Sequence, residues 1–295
     1  MKAAKFVGSV ARMTADTEKE IVGIVGVGRM GLSMLKHMIR HGYQTIACDI
    51  SEEQLQKAHA AGARTVRSPA EMAKSASFVI LGVGYDDEVN EVVLGDNGLL
   101  NTLKAGSLIA VSSTVSPDTV KAIGEKAAQK NIDVLDAPIC RGRWAADNGT
   151  LLALVGGTEA VVERGVKVYS TFSSDIVHLG DVGHGQVGKA MNNLLLWINS
   201  IGLIEAGQLA LSTGIDLPKL RDALQISSGK SQALEDWDMT SFTWALKDMQ
   251  LVSQMSDKAG LTLPVTGMVK ELVKEARRIK RENPPPWTGE KKSSA

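Results

Sequence analysis

A short apolar run, Ile21 to Val25, passes directly into Gly26-Val27-Gly28-Arg29-Met30-Gly31. Residues Met30 to His41 then carry apolar side chains at helical spacing, and Gly42 stops them. A continuous apolar run of this kind reads as a strand buried on both faces. Three glycines mean little by themselves in a chain with 29 glycines among 295 residues; their place between a strand and a helix is what constrains the fold. The first glycine permits the tight turn, the second lets the backbone approach a pyrophosphate, and the third allows close helix–strand packing. The helix N-terminus offers free N–H groups and the positive end of its dipole to an anion. This predicts a dinucleotide held at Gly26, Gly28, Arg29, Met30 and Gly31.

Asp49 ends the next strand, Gln44 to Cys48, 18 residues after Gly31. A carboxylate there accepts hydrogen bonds from ribose hydroxyls and repels a 2′-phosphate. The nearest Lys or Arg is Lys57, so the expected cofactor is NAD rather than NADP. The same carboxylate also suits capping of the helix that opens at Ser51.

Ser51 to Ala61 reads as that helix, Phe78 to Val83 and Ser107 to Val111 as strands, and Pro117 to Lys130 as a helix leading to a strand at Val134. Strands alternating with helices imply βαβ units with right-handed crossovers. From Gln186 only helical patterns follow: to Thr213, then Pro218 to Ser227, Trp244 to Ala259 and Val265 to Arg281. The expected fold is a Rossmann-type doubly wound parallel sheet followed by an all-helical C-terminal domain. The expected domains are an N-terminal extension over 1–20, a dinucleotide-binding domain over 21–183, a helical substrate and dimerisation domain over 184–281, and a flexible tail over 282–295.

Composition narrows the function. Lys+Arg and Asp+Glu are equal at 33 each and aromatics are 4%, which argues against a nucleic-acid partner. Two cysteines, Cys48 and Cys140, do not make a disulfide framework, and no Cys/His spacing suggests a metal site. A reduced, cytoplasmic protein is expected. No uninterrupted apolar run reaches the roughly 18 residues of a membrane span, because Asn199 and Ser200 break the stretch Leu194 to Ile204; that stretch is expected to be a buried helix. Residues 1–20 lack the apolar core of a secretory signal.

Lys189 lies in the first turns of the long helix, just after the glycine-rich boundary, and Asn193 follows at i+4. Residues four apart share a helix face, here where the two expected domains meet, a favoured place for a ligand cleft. A dehydrogenase needs a group that moves a proton as the nicotinamide moves a hydride. A lysine serves when burial and a neighbouring cation disfavour its ammonium form. Helical spacing alone leaves a solvent-facing lysine equally open.

Four segments, in order, resemble the β-hydroxyacid dehydrogenase family, the group that contains 3-hydroxyisobutyrate dehydrogenase. Gly26 to Met34 is similar to its G-x-G-x-M-G-x-x-M opening. Asp136-Ala137-Pro138 and, ten residues later, Gly149-Thr150-Leu151 are similar to its substrate-loop signature. Gly183-x-Gly185-x-x-x-Lys189-x-x-Asn192-Asn193 resembles its catalytic motif, and Lys247-Asp248 with Leu251 its C-terminal motif. The resemblance implies that Lys189 is the proton donor and acceptor, that Asn193 helps hold substrate, and that Lys247 reaches the cofactor. It places Val83 and Gly84 beside the adenosine side of the cofactor, where the family reads Leu-Pro, and Thr114 near the nicotinamide ribose.

The substrate loop departs from the family. Where the family commonly reads D-A-P-V-S-G-G, this chain has Ile139-Cys140-Arg141-Gly142 after Pro138. Cys140 replaces a Ser and Arg141 a Gly, and an Arg here resembles the sulfolactaldehyde reductase branch. A guanidinium fork suits a carboxylate, sulfonate or phosphate, so Cys140, Arg141, Gly142 and Asn193 are expected to hold a small anionic hydroxy acid. An outward-facing Arg141 is the alternative. The expected enzyme is an NAD-dependent oxidoreductase of hydroxy acids, a homodimer or homotetramer with its apolar Leu194–Leu203 stretch covered by a second protomer. Competing readings are an imine or keto reductase of the same fold, which generally lacks the lysine, and a non-catalytic dinucleotide-binding protein.

Overall fold

The structure, a computed structural model, describes residues 19–289. The expected N-terminal extension lies outside the described residues up to position 18. The first unit contains β1 (Val22–Val25), α1 (Arg29–Arg40), β2 (Thr45–Cys48), α2 (Glu52–Ala60), β3 (Arg64–Val66), α3 (Pro69–Ala73), β4 (Phe78–Leu81), α4 (Asp86–Leu94), β5 (Leu108–Val111) and α5 (Pro117–Ala128). It continues through β6 (Asp133–Asp136), β7 (Ile139–Cys140), α6 (Gly142–Asn148), β8 (Leu151–Gly156), α7 (Glu159–Tyr169) and β9 (Ser173–Gly180) into α8 (His184–Ser212).

The strands order as β3-β2-β1-β4-β5-β6-β8-β7, with β9 beside β8. The first six pair in parallel, with Val22 opposite both Thr45 and Phe78, and Val111 opposite Asp136. This is the doubly wound order whose ligands lie beyond the carboxyl ends of the strands. Beyond β6 the sheet is not purely parallel: β8 runs antiparallel to β6 and β7. A two-residue β7 joined to β8 through the short α6 has no room for the long crossover a parallel pair needs.

Every residue of β1, β4 and β5 is buried. Successive side chains leave a strand on opposite faces, and they enter two separate cores. Ile24, Ile80 and Ala110 join one with Met34, Leu35 and Val162, while Val25, Leu81 and Val111 join the other with Met72, Val89 and Val120.

The chain divides into compact units after Lys189, six residues later than the sequence boundary. The first turn of α8 is hydrogen-bonded to the end of β6 and so remains with the sheet. The second unit holds the rest of α8, α9 (Leu217–Gln225), α10 (Gln232–Glu235), α11 (Ala245–Ala259) and α12 (Pro264–Glu282). Its core gathers Trp197, Trp237, Phe242 and Trp287, and each indole N–H finds an acceptor: Asp248, the Pro285 carbonyl and the Leu203 carbonyl respectively.

Two expectations change here. Residues 282–289 are not a flexible tail, because Trp287 is completely buried and its large apolar surface outweighs the entropy of ordering a proline-rich strap. The stretch Leu194 to Ile204 is not simply a buried helix: over an 18-residue window of mean hydropathy 1.5, α8 is 33% buried. By length and composition α8 suffices to cross a membrane, which counting uninterrupted apolar residues overlooked.

Candidate active site

The glycine turn is shaped by backbone contacts that exclude side chains. A Cβ on Gly31 would lie 2.0 Å from the Gly26 carbonyl oxygen, so only hydrogen lets α1 start this close to the strand end. Gly26 has φ +88°, and its Cβ would meet the Gly82 carbonyl at 2.6 Å, which ties the turn to the end of β4. Gly28 differs: a Cβ there would meet nothing within 4 Å, so its backbone faces open space. The start of α1 carries no side-chain cap and no acidic residue in its first turn. Uncapped N–H groups beside an open backbone fit a pyrophosphate.

Asp49 is fixed from both sides. Its Oδ2 accepts the Val27 N–H at 2.8 Å and its Oδ1 the Ser51 N–H at 2.8 Å. Each carboxylate oxygen has a second lone pair, so these bonds orient Asp49 without exhausting it as a ribose acceptor. Capping of α2 is done instead by Ser51, whose side chain accepts the Gln54 N–H. The following Ile50 is fully exposed, an apolar neighbour that offers a 2′-phosphate nothing.

Val83 and Gly84 follow β4, where the Ser113 hydroxyl and the Glu88 carboxylate accept their N–H groups at 2.9 and 2.7 Å. Thr114 is half-buried just beyond β5. Met30 is half-buried against the core beneath α1. Arg29 instead turns to Asp147 on α6, with Nη2 3.3 Å from Oδ2. Asp147 also accepts the Ser33 hydroxyl at 2.5 Å, so the helix of the substrate loop is tethered to the helix of the glycine turn.

Cys140 is buried opposite Leu152 in the β7–β8 pair. The chain then turns sharply. Arg141 adopts φ +81° and Gly142 φ +70°, a left-handed conformation that costs a side-chain-bearing residue about 1–2 kcal/mol. Glycine adopts such an angle without that cost, which accounts for the glycine expected at this position from the resemblance. Arg141 Nη1 donates to Asp175 Oδ2 at 2.6 Å, Ser174 Oγ at 3.0 Å and the Thr150 carbonyl at 3.2 Å. Its guanidinium is therefore braced against the start of β9, although Arg141 is itself exposed to solvent. Arg143 is exposed.

Lys189 is half-buried on α8, and its Nζ lies 3.8 Å from Cys140 Sγ. The catalytic candidate and the substrate-loop candidate thus meet, although 48 residues separate them in sequence. The start of α8 reaches this place because Asp136, wholly buried at the end of β6, accepts the Gly183 and Gln186 N–H groups at 3.0 Å each. Gly185 permits the approach, since a Cβ there would lie 2.5 Å from the Leu154 carbonyl and 2.9 Å from Asp136 Oδ2. Burial pushes the Asp136 carboxyl up to about 6, against the opposing pull of the N–H donors. Sequence reasoning used Asp136 only as a motif letter and passed over Gln186, Asp147 and Asp175. A lone acid ending the apolar strand residues Val134 and Leu135 was the available signal for Asp136.

In the second unit Asn193 is buried and its Oδ1 accepts from Asn192 at 3.0 Å. Lys247 Nζ stands 5.7 Å from the centre of the Trp244 ring. Its neighbour Asp248 is held by the Trp197 indole at 2.9 Å.

Residues 21–180 match the family described as the NAD binding domain of 6-phosphogluconate dehydrogenase. Residues 183–283 match the NAD-binding domain of NADP-dependent 3-hydroxyisobutyrate dehydrogenase. The chain is 32% identical to 2-(hydroxymethyl)glutarate dehydrogenase of Eubacterium barkeri over 275 residues, covering 89% of this chain and 91% of that protein. It is 35% identical to the mitochondrial 3-hydroxyisobutyrate dehydrogenase of Mus musculus, over 76% of this chain and 68% of that one. Among solved structures, 3-hydroxyisobutyrate dehydrogenase from Salmonella typhimurium superposes with a TM-score of 0.78 at 26% identity, covering 88% and 95% of the two chains. With the glycine turn, the oriented Asp49 and the lysine of the third motif in place, the chain belongs to the β-hydroxyacid dehydrogenase family, whose members are nicotinamide-dinucleotide-dependent oxidoreductases acting on CH–OH groups.

Proposed function

We propose that this protein is an NAD-preferring dehydrogenase of a small anionic hydroxy acid, with Lys189 as general acid and base. The observation that carries the reading is the 3.8 Å approach of Lys189 Nζ to Cys140 Sγ, which brings an amine to the loop whose backbone and Arg141 are suited to an acid's head group. A nicotinamide dinucleotide, which the glycine turn and Asp49 would hold, would supply the acceptor for the hydride that leaves the carbinol carbon. Lys189 accepts the hydroxyl proton, so the substrate loses two electrons and two hydrogens in all and a carbonyl forms. In reduction the lysine returns that proton to the oxygen. Asn193, one helical turn further along α8, is assigned to the substrate hydroxyl or carboxylate, and Lys247 to the cofactor.

Arg141 is assigned to the charged head. Asp175 braces one nitrogen of its fork, and pairing with an anion adds charge-assisted hydrogen bonds of the strong class. Asp49 and the apolar Ile50 support NAD over NADP. The exposed Leu195, Leu209 and Leu211 along α8 support a second copy of the chain as the cover of this helix, in a dimer or tetramer. Glu205 and Gln208, both exposed on the same helix, favour that cover over lipid.

The test is a panel read by NADH absorbance: 3-hydroxyisobutyrate, L-serine and 2-(hydroxymethyl)glutarate, the compounds in the names of related dehydrogenases, with sulfonate and phosphate analogues. One of them is expected to turn over, and Lys189→Ala to lose about 10²–10⁴-fold in kcat while NADH binding persists. A Lys189→Ala enzyme retaining more than about a tenth of kcat refutes the acid–base assignment.

A further inference from the structure

We propose that Gln186 and Asp136 are positioning residues that hold Lys189 in register with the strand ends on the cofactor side of the site; this rests on the role of Lys189 proposed above. Two brackets fasten the first turn of α8. The main-chain bracket is the Asp136 carboxylate, which accepts the Gly183 and Gln186 N–H groups. The side-chain bracket is the Gln186 amide, completely buried, whose Oε1 accepts the Val115 N–H at 3.1 Å and whose Nε2 donates to the Ser113 carbonyl at 2.9 Å. Ser113 Oγ in turn accepts the Val83 N–H at 2.9 Å.

The bonds form one continuous frame. It runs from Val83, two residues beyond β4, through the residues on both sides of Thr114 beyond β5, to the helix that carries Lys189 three residues after Gln186. A helix needs its orphan N–H groups satisfied, but a solvated start would do that at less cost. Here the cap is a fully buried carboxylate, and its Oδ1 has no hydrogen-bond partner among the described residues. Desolvating an oxygen without compensation opposes stability, so the arrangement is what a site accepts for geometry. With the frame intact, Lys189 cannot slide along or rotate about the axis of α8 relative to β5. A misplacement of about 1 Å is enough to cost on the order of 10²-fold in rate.

Gln186→Met removes both side-chain bonds at nearly constant volume. With the best substrate of the panel, kcat is expected to fall about 100-fold with KM and the NADH dissociation constant, read by NADH fluorescence, unchanged within about twofold, because the glycine turn and Asp49 lie on other strands. The primary isotope effect with substrate deuterated at the carbinol carbon is expected to rise as hydride transfer becomes rate-limiting. Gln186→Glu keeps an acceptor for Val115, and partial recovery is expected. Asp136→Asn, the variant that keeps the cap's shape, is expected to lose about tenfold in kcat with the same signature.

A kcat for Gln186→Met within about tenfold of wild type overturns the proposal. So does loss of NADH binding in parallel with kcat in both Gln186→Met and Asp136→Asn, because the frame would then serve the fold alone. Activity retained by Lys189→Ala refutes the acid–base reading instead. An inactive Lys189→Ala beside a fully active Gln186→Met refutes this inference only.

Discussion

Replacing Arg141 by glycine separates what this residue does for the fold from what it does for the ligand. Three effects on stability nearly cancel. Relief of the left-handed conformation at φ +81° favours the variant by about 1–2 kcal/mol. Loss of the Asp175 ion pair, with side chains 43% and 45% exposed, costs only about 0.2–1 kcal/mol after screening by solvent. The greater freedom of glycine in the unfolded chain costs about 0.4–1 kcal/mol more. Urea unfolding of Arg141→Gly is therefore expected within about 1 kcal/mol of wild type. Substrate binding has no such cancellation: an anion left desolvated without its charged partner costs about 2–4 kcal/mol, or a loss of roughly 30- to 1,000-fold in kcat/KM. That loss should lie mainly in KM, since the head group is held alike in ground and transition states. Arg141→Lys should recover only part, because an ammonium has no planar fork, and Arg143→Ala, two residues further on, should matter less. A loss under about threefold for Arg141→Gly would show that Arg141 serves Asp175 and β9 alone.

Wild-type enzyme is expected to prefer NAD over NADP by about tenfold or more in kcat/KM, and Asp49→Ala to narrow the gap; equal use of both by wild type contradicts the role of Asp49. The buried Asp136 carboxyl has a folded value of about 6 against 3.8 for the free side chain, so the acid form is favoured by folding. Its stabilisation is complete below about pH 4 and is lost as the pH rises through 6, amounting to about 3 kcal/mol across roughly two units. Asp136→Asn should therefore gain in stability relative to wild type by about 1 kcal/mol more at pH 8 than at pH 5, even as it loses activity; a gap that does not widen in urea titrations refutes this. Trp287→Ala should cost about 3–5 kcal/mol and lower the melting temperature, whereas removal of a flexible-tail residue would change neither.

The dinucleotide half of this protein was legible from residues 21 to 49 because its determinants are local. A continuous apolar run, three glycines at fixed spacing and an acid at the next strand end follow one another in a fixed order within one stretch of chain. The long helices of the second unit were legible for the same reason, through their 3.6-residue period. The short β3, the β7–β8 pair and α6 were not, because elements of two to seven residues carry too few side chains to show a period; α4, α7 and β9, of nine, eleven and eight residues, were not read from the sequence either.

What the tertiary structure decided is where distant chemistry meets. No spacing rule joins Lys189 to Cys140, Arg141 to Asp175, or Gln186 to Ser113 and Val115; each contact depends on strand order and on how closely α8 approaches the sheet. The motif glycines illustrate the division. Gly26 and Gly185 are visible as letters in the chain, but the carbonyls that exclude a Cβ from each, those of Gly82 and Leu154, become neighbours only after folding. Trp287 is the opposite case. Its proline-rich surroundings predict a mobile end, and the burial of one large indole among distant helices overrides them, because apolar area removed from water depends on the assembled core and not on the local sequence.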